Sequence, residues 1–233
     1  YAKEWVINKD AIIEKIEKAF SYPVIIKPAN LGSSVGISLA TDRDGLMRSV
    51  DDALIYAEKI LIEPAVTALR ELNCSVVGDK DECETSVIEE PMRGDEGILS
   101  FNDKYKDGGE KGSKSSGMAS LKRKIPAEIS ESIKNDVEKY SKAAFKAIGA
   151  CGVVRIDYLY DTDKEKVYVN EINTIPGSLS FYLWEPKGVK YKELIDRLIE
   201  LGFKRERTKQ NLSFSFDANL LAGGSAFGTK GKK

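Results

Sequence analysis

Two short stretches place chemistry-bearing side chains two residues apart: Arg155-Ile-Asp157 and Glu171-Ile-Asn173. Each lies in an apolar run that reads as a β-strand, and residues i and i+2 of a strand project from one face. If the two strands are antiparallel neighbours, Asp157, Glu171 and Asn173 share a face with Arg155 beside them. Three hard oxygen donors suit Mg²⁺ on a polyphosphate, and a guanidinium there stabilises charge during transfer. A surface ladder of salt bridges has the same spacing. Gly177 follows in NEINTIPG. Its backbone N–H could approach an anionic oxygen closely, and an ordinary Pro-Gly turn reads the same way.

Other candidates are weaker when taken singly. Lys27 ends the apolar run VIIKP and could reach a phosphate with its stem packed on the core. The loop Gly32-Ser33-Ser34-Val35-Gly36 could offer backbone amides to phosphates, or be an unliganded hairpin tip. It matches neither a Walker loop nor a dinucleotide fingerprint. Glu63 ends KILIE at a lobe junction, where it could meet an adenine amino group, and Glu71 could accept from ribose hydroxyls. Lys104 and Tyr105 sit in the polar, glycine-rich stretch Ser100–Gly117, which reads as a mobile lid or a solvated loop.

Composition narrows the chemistry. The 233 residues contain no histidine, which excludes His-based triads and most zinc sites. Three scattered cysteines, Cys74, Cys83 and Cys151, read as reduced thiols in a cytoplasmic setting. A net charge of −1 disfavours nucleic acid and anionic membrane as partners. No apolar run is long enough to span a bilayer. The chain opens on Tyr1 and enters a helical pattern almost at once, which suggests a fragment of a longer protein.

The elements that must hold these residues follow from periodicity. Helical spacing marks Asp10–Phe20, Leu46–Ala57 with Thr41 or Asp42 as N-cap, a long helix opened by Pro126 and closed at Gly149, and a last helix from Tyr191 stopping at Gly202. Strands are expected at Tyr22–Pro28, Ile37–Ala40, Lys59–Glu63, Glu71–Gly78, Glu84–Glu90, Gly152–Tyr160 and Lys166–Ile172. The segment from about Arg207 is weakly patterned.

In order along the chain, YPVIIKPANLGSSVGIS, KILIEPAV, RELNCSVVG, NDKY, GVVRIDYLYD and VYVNEINTIPG resemble the motifs of the D-alanine–D-alanine ligase family of ATP-grasp enzymes, over about residues 1–202. The resemblance implies an α+β ATP-grasp fold whose two lobes sandwich ATP: residues 1–64 as the small central lobe, 65–206 as the catalytic lobe, and 207–233 as a tail. It implies ATP and Mg²⁺, with Mn²⁺ as an alternative, and a full-length homodimer acting on D-amino acids in peptidoglycan synthesis. One substrate's carboxylate is phosphorylated, and the amine of the second attacks the acyl phosphate. By the match, Lys27 and Lys104 contact phosphates, Ser34 belongs to the phosphate loop, Glu63 lies at the adenine hinge and Glu71 at the ribose. Asp157, Glu171 and Asn173 match the metal ligands. Arg155 and the Gly177 amide match the groups that stabilise the acyl phosphate and the tetrahedral intermediate. Ser33 and Tyr105 match a hydroxyl pair that locks the lid.

Two departures stand out. The family's N-terminal domain, which holds the first D-alanine, has no counterpart here. Tyr182 stands where the family commonly has a Ser that holds the second substrate's carboxylate, and its phenol could still donate. Two alternatives therefore stay open: an ATP-grasp ligase for another amino or hydroxy acid, and a nucleotide-binding module inactive as this fragment.

Overall fold

The computed structural model describes residues 1–31, 35–92 and 123–211. Ser33, Ser34, Lys104, Tyr105 and the expected lid lie outside the described residues, as does the chain from residue 212.

Alternation builds the first layer. In β1 (Val24–Pro28) the side chains of Val24, Ile26 and Pro28 are buried and those between are partly exposed. β1 is central in an antiparallel sheet of order β2-β1-β3, with β2 at Ser38–Ala40 and β3 at Ile60–Pro64. Two helices, α1 (Ala2–Ala19) and α2 (Arg43–Leu54), cover the Val24/Ile26 face through Trp5, Ile13, Leu46, Val50 and Ala53. Burying each such aliphatic side chain is worth about 1.5–3 kcal/mol. That burial forces Lys27 and Glu63 onto the opposite face. Asp42 caps α2, its carboxylate accepting from the Gly45 amide at 2.7 Å. α1 starts well before the expected Asp10. A non-helical Asn8 (φ −130, ψ 36) kinks it and breaks the period between Trp5 and Ile13.

The second sheet has five antiparallel strands in the order β6-β5-β4-β7-β8. They are β4 (Leu69–Gly78), β5 (Cys83–Pro91), β6 (Arg123–Lys124), β7 (Gly152–Asp161) and β8 (Lys166–Asn173). Helix α3 (Glu131–Ala147) packs Ile133, Val137 and Phe145 on one face, against Leu72, Cys74, Val76, Ile88, Val154, Ile156 and Tyr158. Its N-cap is Ser130, whose hydroxyl accepts from the Ile133 amide, so Pro126 does not open it. The residues after Pro126 stay extended, and the Ala127 amide donates to the Ile88 carbonyl at 2.8 Å. On the other face, Val77 and Val153 pack under Leu183, Trp184 and Leu194. The rest of that face carries the polar residues of interest.

The last helix, α4 (Tyr191–Gln210), runs through Gly202 and beyond 207 instead of stopping. Glycine costs about 1 kcal/mol in a helix interior, and Lys204 offsets this by pairing with Asp79 at 2.5 Å in the β4–β5 turn. Lys204, with the amides of Glu82 and Asp81, holds the Asp79 carboxyl at about 2, below its ordinary 3.8. A depressed folded pKa means that the unfolded chain takes up the proton first. The contribution is complete above pH 3.8 and is lost as pH falls toward 2. Asp79→Asn is therefore expected to melt earlier than wild type at neutral pH, with the gap closing across that acid range. Thermal melts as a function of pH check this; a gap that stays constant rejects it.

Among the described residues, no helix is long and apolar enough to cross a membrane.

Candidate active site

Ladder register brings the two dipeptide motifs together. β7 and β8 are antiparallel neighbours with Arg155 opposite Asn173 and Asp157 opposite Glu171. All four side chains share the face away from α3. Arg155 donates from Nε to Asp157 Oδ1 at 2.7 Å and from a terminal nitrogen to Oδ2 at 2.8 Å. Asn173 Nδ2 donates to the same Oδ2 at 3.1 Å. Arg155 is only 14% exposed. Burial works against its charge, but the Asp157 hydrogen bonds and charge more than compensate, helped by Tyr182 and Glu89, so its pKa is raised.

A bulge sits at Asn170. Asp157 pairs with Glu171 while Tyr158 pairs with Val169, leaving Asn170 as the extra residue. Asn170 Oδ1 accepts from Lys27 Nζ at 2.9 Å, and the same ammonium pairs with Glu63 at 2.6 Å. Because Ile25 stands opposite Glu63 in the β1–β3 register, Glu63 is the diagonal same-face neighbour of Lys27. Lys27 thus spans from the first sheet to the strand end that carries Glu171.

The polar row continues across the sheet, since Asn73 stands opposite both Asp157 and Glu89. Glu71 lies two residues before Asn73 on the same strand, opposite Leu159, and is half-buried. Ser75, opposite Arg155, accepts from the Trp184 indole at 3.1 Å. Gly177 opens a short 3₁₀ segment, Gly177–Leu183. Ser178, Leu179 and Ser180 within it adopt left-handed φ of 52, 54 and 51. Such a conformation costs roughly 1–2 kcal/mol per non-glycine residue, and strain of this kind concentrates at functional sites. Here the turn drives Leu183 and Trp184 into the core and brings Tyr182 onto the polar row.

Tyr182, expected near the second substrate, sits on this polar row with its hydroxyl turned to an acid. Its single phenolic proton is donated to Glu89 Oε1 at 2.9 Å. Burial first, then the Glu89 charge and hydrogen bond, push its pKa up to about 12. In this structure the hydroxyl proton is engaged by Glu89. Sequence reasoning missed Asn73, Glu89, Arg123 and Asn170. The spacing Glu71-x-Asn73 is the one local signal, of the same kind as the two motifs recognised. Nothing local marks Glu89, which lies in ETSVIEEP beside a second acid.

Among the described residues, no group of three or more Asp, Glu or Cys stands close enough to hold a metal unaided. The donor set that Mg²⁺ would use is two carboxylates and one carboxamide, with phosphate and water oxygens completing it, and this fits a hard cation that retains waters. Asp157 Oδ1 accepts one N–H and keeps a second lone pair.

The two sheets, their covering helices and this polar face define an α+β architecture of the ATP-grasp kind. A family model described as D-ala D-ala ligase C-terminus matches residues 1–200, and the chain belongs to that family. The D-alanine--D-alanine ligase of Caldicellulosiruptor bescii is 41% identical over 219 residues, 92% of this chain and 56% of that protein. The one from Thermosipho melanesiensis is 38% identical over 215 residues, 92% of this chain and 55% of that protein. Among solved structures, the VanG D-Ala:D-Ser ligase from Enterococcus faecalis shares the fold with a TM-score of 0.67 at 24% identity, covering 84% of this chain and 54% of that one. The D-alanine-D-alanine ligase from Coxiella burnetii gives 0.67 at 23%, covering 86% and 50%. The chain thus spans about half the length of the curated relatives it matches.

Proposed function

We propose that the full-length protein carrying this chain is an ATP-dependent carboxylate–amine ligase that joins two D-alanines for peptidoglycan precursor synthesis. Residues 1–64 and 65–206 would be the two ATP-grasp lobes. The homodimer and the cytoplasmic setting implied by the resemblance belong to the same reading. The observation that carries it is the shared face of Arg155, Asp157, Glu171 and Asn173, reached from the first sheet by Lys27.

In this reading Lys27 exchanges its contacts with Glu63 and Asn170 for a nucleotide phosphate, with Lys104 and Ser34 approaching from segments outside the described residues. Glu63 and Glu71 take the adenine and ribose sides. Asp157, Glu171 and Asn173 would hold Mg²⁺ or Mn²⁺, which when bound neutralises phosphate oxygens. The γ-phosphoryl group passes to a carboxylate oxygen of the first D-alanine, and ADP leaves. The second amine then forms its bond to the carbonyl carbon, loses a proton, and expels phosphate. Arg155 and the Gly177 amide stabilise the negative charge on the oxygens in both steps. Ser33 and Tyr105 would close the lid. A second reading, a ligase with another acceptor, is favoured by the commitment of the Tyr182 hydroxyl to Glu89.

The test is phosphate release by the full-length protein with ATP, Mg²⁺ and a panel of D-amino and D-hydroxy acids, with products read by mass spectrometry. D-alanyl-D-alanine is expected as the main product; its absence alongside another ligation product supports the second reading. Glu171→Gln is expected to weaken metal-dependent nucleotide binding roughly tenfold or more, in line with the loss of a charged contact. Calorimetry showing unchanged Mg·ATP affinity would falsify the metal assignment.

A further inference from the structure

Beside the Arg155–Asp157 pair lies a second charged cluster to which the ligase reading gives no task. Glu89 is 2% exposed. Its carboxylate accepts from Asn73 Nδ2 at 2.9 Å, from the Tyr182 hydroxyl at 2.9 Å, and from a terminal nitrogen of Arg123 at 3.3 Å. The guanidinium carbon of Arg123 stands 4.6 Å from the centre of the Tyr182 ring. A carboxylate this deeply buried is costly unless it is paired and hydrogen-bonded. Three donors on three different elements meet that cost. The cluster is therefore a built feature of the site face, and Arg123, 19% exposed, is its charged member nearest solvent.

Its place relative to the reacting centre follows from strand order. Arg155 is on β7. Glu171 and Asn173 lie on β8, to one side. Glu89 on β5 and Arg123 on β6 lie to the other. If the phosphate is held at the β8 side, the amine that displaces it from the carbonyl would approach from the β5–β6 side. An amino acid arriving there brings a carboxylate that loses its water and needs a donor. The Tyr182 proton is already given to Glu89. Arg123 carries a positive charge and a planar fork of N–H donors, the geometry that suits a carboxylate.

We infer that Arg123, set in place by Glu89 and the Tyr182 ring, is a specificity-determining residue that receives the carboxylate of the amine substrate. The inference rests on the ligase reading above. On it, the acceptor class is an amine bearing a carboxylate, and Glu89 acts only through Arg123 and Tyr182, as a positioning residue.

An internal competition tests this in the full-length protein. ATP, Mg²⁺ and D-alanine are supplied together with D-alaninamide, an acceptor of the same shape without the carboxylate charge. Mass spectrometry gives the ratio of dipeptide to dipeptide amide. The ratio is independent of how much of a variant is folded, so a merely structural loss does not move it. Arg123→Met is expected to lower the ratio about 10- to 100-fold, the range for removing a hydrogen bond to a charged group. Arg123→Lys should fall between Met and wild type, and Tyr182→Phe should leave the ratio near wild type. An unchanged ratio in Arg123→Met, with both acceptors slowed equally, overturns the assignment. A collapse of the ratio in Tyr182→Phe alone overturns it in favour of the phenol. A wild-type protein that makes neither product, with no D-alanine-dependent phosphate release, overturns the ligase reading itself and this inference with it.

Discussion

Replacing Arg155 by Met is expected to lower D-alanine-dependent phosphate release by the full-length protein about 10²- to 10³-fold, the loss typical of removing one transition-state donor. Affinity for Mg·ATP should change far less. The reason lies in how the guanidinium is held. It is mostly buried and is forked onto both oxygens of Asp157. Its charge is therefore fixed before any substrate arrives, so on the ligase reading little reorganisation is needed as negative charge develops on the oxygens of a transferring phosphoryl group or a tetrahedral intermediate. Lysine at this position would keep the charge and lose the fork, so Arg155→Lys should recover only part of the rate. Steady-state phosphate release and calorimetric ATP binding, measured on the same preparations, separate the cases. Equal loss of binding and turnover would make Arg155 a mere support for Asp157.

Trp184→Ala is expected to cost about 3–5 kcal/mol, the usual penalty for emptying a buried Trp site. Against a typical net stability of about 5–15 kcal/mol, the variant should be poorly folded at physiological temperature. Trp184 is 1% exposed and seals the core formed by Val77, Val153, Leu183 and Leu194. Its indole N–H donates to Ser75, whose hydroxyl in turn donates to the Val154 carbonyl. The side chain thereby ties the strained turn after Gly177 to the two central strands that carry Asn73 and Arg155. Trp184→Phe keeps most of the volume and loses the donor, so it should be much milder. Denaturant unfolding decides: a midpoint shift in Trp184→Ala no larger than in Trp184→Phe would show that the turn is anchored elsewhere.

Much of the site was legible in the sequence because it is encoded locally. The i, i+2 spacing of Arg155 with Asp157 and of Glu171 with Asn173 fixes a shared face as soon as the segments are strands. Their β-branched and aromatic flanks make them strands. Apolar alternation in VIIKP likewise sends Lys27 away from the core. Asp42 was readable as a cap because its partner amide is three residues away. Elements were misjudged where a distant contact overrode a local rule. Gly202 lies inside α4, followed by Lys204 paired with Asp79 across 125 positions. Trp5 belongs to α1 despite the kink at Asn8, since its indole is held by Asp51 at 2.7 Å.

The sequence by itself thus determined which side chains share a strand face, and that the candidate chemistry draws on hard-oxygen and cationic groups and not on imidazoles. Those outcomes follow from the 2.0 and 3.6 residue periods and from residue type. Only the tertiary structure decided the partners. Lys27 meets Asn170 across 143 positions, through a bulge that no spacing announces. Glu89 gathers Asn73, Arg123 and Tyr182 from three separate elements, a set of contacts that no local spacing announces. Buried polar groups must be paired, and which distant group pairs them is set by how the strands order and register, a property of the assembled sheet and not of any one segment.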